Sequence, residues 1–100
     1  MNVNDIKLVC VMGGGVMGGG IAQTCAAAGF RTVCRDINEE LCEKTRATVI
    51  EGRFGLRGAV ERGKLTQQQF DEAVARLSFT TSVDDLRAAD LVIEAVPEDL

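Results

Sequence analysis

Residues 13–18 read Gly-Gly-Gly-Val-Met-Gly, a G-x-G-x-x-G pattern set between an apolar run and a segment with helical spacing. Three consecutive glycines rarely sit inside a helix, where each costs about 1 kcal/mol relative to Ala. They mark a turn. Before them, residues 6–12 (I-K-L-V-C-V-M) form a short, mostly apolar run, the pattern of a strand buried on both faces. After them, residues 16–28 suit a helix with Ile21, Cys25 and Ala28 on one stripe and Gly29 as its C′ residue. The same pattern disposes of a membrane span. Residues 8–30 are 23 uncharged positions, about the length of a span, but seven are Gly and two more are Gln23 and Thr24.

The remaining chain continues the alternation. Residues 30–35 read as a second strand ending at Asp36. Asn38 is placed as an N-cap with Glu39 and Glu40 in the positive first turn. From there one long helix is predicted toward Arg62, with Leu41, Thr45, Val49 and Phe54 inward and Gly63 closing it. Its second half is weakened by Gly52, Gly55 and Gly58. Thr66-Gln67-Gln68-Gln69 is a capping box, and the helix it opens carries Phe70, Ala73, Val74 and Leu77 on one stripe. A strand over residues 78–81, a helical turn capped by Ser82, and a buried strand over residues 90–96 before Pro97 complete the order. The predicted fold is α/β. It is a Rossmann-type parallel sheet with helices on both faces, incomplete at about four strands, with a helical pair inserted between strands 2 and 3.

Composition narrows the chemistry. The 100 residues carry 11 Lys and Arg against 15 Asp and Glu, and the net charge of −4 lacks the basic excess of a nucleic-acid binder. There is no His, so no imidazole serves as acid, base or metal ligand within this chain. Cys10, Cys25, Cys34 and Cys42 have no C-x-x-C spacing. They read as reduced, buried thiols of a cytoplasmic protein rather than as a zinc site.

The glycine pattern becomes informative through its context: a buried strand before it, a helix after it, and an acid at the end of the next strand. Gly13 permits the tight turn, Gly15 lets the backbone approach a pyrophosphate, and Gly18 lets the helix pack closely on the strand. The free N–H groups and dipole of the helix then favour phosphate charge. Asp36, 18 residues beyond Gly18, has the reach to accept from the ribose hydroxyls. A carboxylate there repels a 2′-phosphate, which favours NAD over NADP, and Arg35 points to the opposite face of its strand. A P-loop is excluded, because Gly19-Gly20 follows where Lys-Ser/Thr would be needed.

Taken together, V-M-G-G-G-V-M-G-G-G-I-A-Q (residues 11–23), A-A-A-G-F (26–30), R-D-I-N (35–38), G-K-L-T (63–66) and D-L-V-I-E-A-V-P-E-D-L (90–100) resemble the N-terminal NAD-binding domain of L-3-hydroxyacyl-CoA dehydrogenases, the 3-hydroxybutyryl-CoA enzymes included. The resemblance implies that residues 1–100 are the front part of that domain. It implies cofactor contacts from Gly13, Gly14, Gly15, Val16, Met17, Gly18 and Asp36, and from Glu98 on the nicotinamide side. The helical pair matches a family insertion that helps hold coenzyme A; Arg53 and Arg57, four apart on one face of the predicted helix, read first as a solvated basic face and second as contacts to its phosphates. The family's catalytic His–Glu pair and helical C-terminal domain lie beyond the matched region, so this chain alone is expected to be inactive. A full-length homodimer of fatty-acid metabolism acting on acyl-CoA, without nucleic acid or membrane, is the corresponding expectation. A non-catalytic nucleotide-binding protein and a λ-crystallin-like sugar-acid dehydrogenase remain as alternatives.

Overall fold

A computed structural model of the protein describes residues 5–13 and 15–95, the Val16 side chain apart. Strand β1 (Leu8–Met12) leads through the glycine turn into helix α1 (Gly15–Ala27), then into strand β2 (Arg31–Arg35). Helices α2 (Glu39–Glu51), α3 (Leu56–Glu61) and α4 (Gln67–Arg76) follow, then strand β3 (Leu77–Thr80), a 3-10 segment (Val83–Ala88) and strand β4 (Leu91–Glu94). The strands form one parallel sheet in the order β3-β2-β1-β4. The expected α/β sheet is thus present, and most predicted elements start or stop within a residue or two of their observed bounds.

Local chemistry accounts for the boundaries. Helix α1 ends in a Schellman arrangement: Gly29 N–H donates to the Ala26 carbonyl at 3.1 Å, Phe30 N–H to that of Cys25 at 3.0 Å, and Gly29 sits at φ 108°. Asn38 caps α2 by accepting from Leu41 N–H at 2.8 Å. The Thr66 hydroxyl accepts from Gln69 N–H at 3.1 Å while the Gln69 side chain accepts from Thr66 N–H at 2.9 Å, the full capping box. Asp90 secures the start of β4, since its carboxylate accepts from the N–H groups of Lys7 and Leu8 at 2.8 and 2.9 Å. Those two bonds hold its carboxyl below the usual carboxylate range.

The single long helix predicted between Asn38 and Arg62 is corrected to two. Helix α2 stops at Gly52, which turns extended (φ −65°, ψ 158°), and Gly55 N–H then closes a turn onto the Gly52 carbonyl. The break redirects the chain so that Leu56 is 1% exposed, whereas Phe54, expected inward, is 78% exposed. Two further placements change. Ala22 and Ala26 form the buried face of α1, with Ala28 exposed, and Cys42 and Ile50 join Thr45 and Val49 as the buried stripe of α2.

The core has two parts. Val9, Val11 and Cys34 on the sheet pack against Ala22 of α1, while Ala26, Val49, Ile50, Leu56, Phe70 and Ala73 join the helices to one another. Helix α1 packs against both α2 and α4, while the 3-10 segment packs against β1. With right-handed crossovers this strand order places the three helices on one face and the 3-10 segment on the other. The 23-residue uncharged stretch is divided between β1, the turn and α1. No helix among the described residues is long and apolar enough to cross a membrane.

Leu56→Ala is expected to cost about 2–5 kcal/mol, the range for a fully buried leucine, read as a lower urea midpoint. A second outcome concerns alkaline pH. Burial, reinforced by the Asp36 charge, raises the Cys34 thiol from 9.0 to about 11. Unfolded chains then ionise this thiol between pH 9 and 11 while the folded protein retains its proton. The stabilisation is complete below pH 9 and is lost as pH rises toward 11, a fall of about 2 kcal/mol. Urea titrations across that window should show a shallower decline in Cys34→Ala than in the parent protein.

Candidate functional site

The carboxyl ends of the strands lie level with one another. Gly13 N–H donates to the Arg35 carbonyl at 2.9 Å, Asp36 N–H to that of Thr80 at 2.9 Å, and Ala95 N–H to that of Met12 at 2.8 Å. The β1–β2 register pairs Met12 with Arg35, so the glycine turn leaves the sheet beside Asp36. In open α/β sheets this end, outside the strand termini, is where ligands bind.

The glycines of the turn differ in their geometry. Gly13 and Gly15 take the left-handed φ values of 88° and 72°. A Cβ on Gly15 would meet nothing within 4 Å, which leaves its backbone approachable. A Cβ on Gly18 would instead collide with the Gly13 carbonyl, so only glycine lets α1 come this close to β1. The first turn of α1 contains no acidic residue, leaving the positive end of its dipole uncompensated by its own side chains. Met17 is exposed beside it. Gly14, the Val16 side chain and Glu98 lie outside the described residues.

Asp36 is 8% exposed, and one of its carboxylate oxygens accepts from Ile37 N–H at 2.9 Å. Arg35 is committed elsewhere, its Nε donating to the Thr81 carbonyl at 3.1 Å. An acid and an uncompensated helix N-terminus therefore share one end of the sheet. That combination, backbone N–H groups that donate to phosphate and a carboxylate that accepts from hydroxyls, fits a dinucleotide.

Arg53 and Arg57 do not form the expected pair on one helical face, because the α2–α3 break falls between them. The Arg57 guanidinium lies 4.0 Å above the Phe70 ring and bonds Gln67 at 3.3 Å, with Glu51 at 3.6 Å. Arg53 lies in the turn, 5.6 Å from the Phe54 ring. It lines a groove of about 320 Å³ that runs from Gly15 along Gly19 and Gln23.

One neighbour of the turn was not singled out for it in the sequence. Thr45, expected only as an inward residue of α2, places its hydroxyl oxygen 3.4 Å from Gly15 N. The two are 30 residues apart, and no local pattern signals the contact.

The chain matches the family model described as "3-hydroxyacyl-CoA dehydrogenase, NAD binding domain" over residues 8–100. It is 40% identical over 94 residues to a 3-hydroxybutyryl-CoA dehydrogenase of Mycobacterium tuberculosis, covering 94% of this chain and 32% of that protein. A fatty acid oxidation complex subunit alpha of Psychrobacter is 36% identical over 99 residues, which is 97% of this chain and 13% of the larger subunit. Among solved structures, the (S)-3-hydroxybutyryl-CoA dehydrogenase of Ralstonia eutropha superposes with a TM-score of 0.87 at 41% identity, covering 96% of this chain and 33% of that one. The chain thus spans about a third of the length of these two dehydrogenases.

Proposed function

Since the chain belongs to the NAD-binding domain family of the 3-hydroxyacyl-CoA dehydrogenases, we propose that it supplies the NAD site of an oxidoreductase interconverting L-3-hydroxyacyl-CoA and 3-oxoacyl-CoA. The observation that carries this reading is the juxtaposition of the Gly13–Gly18 turn with Asp36 at one end of the sheet.

In this reading the backbone of Gly13, Gly14, Gly15, Val16, Met17 and Gly18 holds the pyrophosphate against the N-terminus of α1. Asp36 accepts from the adenosine ribose hydroxyls, and Glu98 contacts the nicotinamide side. NAD supplies the hydride acceptor when bound; the described residues of this chain bind and orient it. Proton transfer at the 3-hydroxyl falls to groups other than imidazoles of this chain, which has none. NAD is preferred to NADP because Asp36 repels a 2′-phosphate and the Arg35 side chain is turned to Thr81.

The whole enzyme acts on an acyl-CoA in fatty-acid metabolism, as the names of its relatives suggest. Residues 1–100 form the front of its cofactor domain, ahead of a helical C-terminal domain through which a homodimer forms. Four free cysteines, three of them buried, support a reducing, cytoplasmic setting.

Calorimetric titration tests the site. NAD is expected to bind more tightly than NADP, and Asp36→Ala to weaken NAD by about 1–3 kcal/mol, the cost of leaving buried hydroxyls unpaired. Unchanged affinity in Asp36→Ala would remove that residue from the site, and tighter binding of NADP would reverse the cofactor assignment.

A further inference from the structure

The turn that meets the pyrophosphate is held at one point by a side chain from a distant helix. Gly15 is the first residue of α1, so its N–H has no partner within the helix. The preceding residue, Gly14, has no side chain with which to cap it. Gly15 itself is in the left-handed region, and a Cβ built on it would meet nothing within 4 Å. What reaches it is Thr45 of α2, whose hydroxyl oxygen accepts from Gly15 N–H at 3.4 Å.

Thr45 is well fixed. It is 5% exposed, and its methyl group would lie 3.5 Å from a Cβ built on Gly19, where α1 and α2 cross. Helix α2 is capped at Asn38, two residues after Asp36, so the ribose-side acid and Thr45 belong to one short segment.

We propose that Thr45 is a positioning residue for the cofactor: its hydroxyl fixes Gly15 and thereby holds the turn in the shape that receives the pyrophosphate. The proposal rests on the NAD-site reading above. Its physical basis is preorganisation, because a glycine ordered before binding need not be ordered by the ligand. Thr45 does not touch the reacting atoms, and its effect belongs in affinity for phosphate-bearing ligands.

Three variants and three ligands separate this role from a merely structural one. Thr45→Val removes the acceptor at constant volume, Thr45→Ala removes it while relieving the packing on Gly19, and Thr45→Ser keeps it. Binding of NAD, ADP and adenosine is measured by calorimetry well below each variant's melting temperature. The Gly15 amide proton, followed by NMR without ligand, reads the hydrogen bond directly.

Val and Ala are expected to weaken NAD and ADP about threefold to tenfold, the worth of one hydrogen bond. They should leave adenosine unchanged and shift the Gly15 amide proton upfield, while Ser retains the parent affinity and shift. Parent-like NAD affinity in the hydroxyl-free variants overturns the proposal, as does equal weakening of all three ligands or an unmoved Gly15 amide. If the parent protein binds none of the ligands, the NAD site falls and the proposal with it; if Asp36→Ala weakens NAD but Thr45→Val does not, only the role of Thr45 falls.

Discussion

The approach of Gly18 to the Gly13 carbonyl sets the distance between α1 and β1, and the rest of the molecule is built on that distance. A side chain at position 18 would push the helix off the sheet, and the layer of Val9, Val11 and Ala22 between them would open. The same helix is approached from its other side. Gly19 faces Thr45 and Val49 of α2, and Ala26 reaches the core shared with α4. Small residues therefore line two sides of α1. This explains why the stripe of Ile21, Cys25 and Ala28 read from its sequence is not its buried face: the helix is held between a sheet and two helices rather than lying on a surface.

That close packing also produces the site. With α1 seated on β1, its N-terminus opens at the carboxyl end of the sheet, level with Asp36. The N-terminus offers positive potential; Asp36 offers a buried carboxylate a strand away. In the proposed reading the two meet different parts of one ligand, the diphosphate and the ribose. Glu39 and Glu40 are exposed in the first turn of α2 and serve that helix's own dipole.

Most of this was legible in the chain. The glycine pattern, the apolar run of β1, the Asn38 cap and the Thr66–Gln69 box are local signals, and the structure realises each of them. The apolar run of residues 90–96, expected to be buried, forms instead the edge strand β4 with Leu91 and Val92 exposed. The break after Glu51 was partly legible too, since Gly52, Gly55 and Gly58 crowd its neighbourhood, but helical spacing alone carried Phe54 inward. Burial of Leu56 against Phe70 and Val49 resolved the matter by turning the chain, a long-range gain that periodicity does not register. The supposed pairing of Arg53 with Arg57 fails for the same reason, and Arg57 packs on Phe70 instead.

By itself, then, the sequence determined the element order, the parallel α/β class, the position of the glycine turn and the placement of Asp36 at the end of the second strand. Each depends on residues adjacent in the chain or on a backbone conformation that only glycine adopts cheaply. Tertiary structure alone decided where α2 ends, which faces of α1 and α2 are buried, and that Thr45 meets Gly15. Those outcomes depend on distances between residues dozens of positions apart, which are set by how the helices fill the space over the sheet.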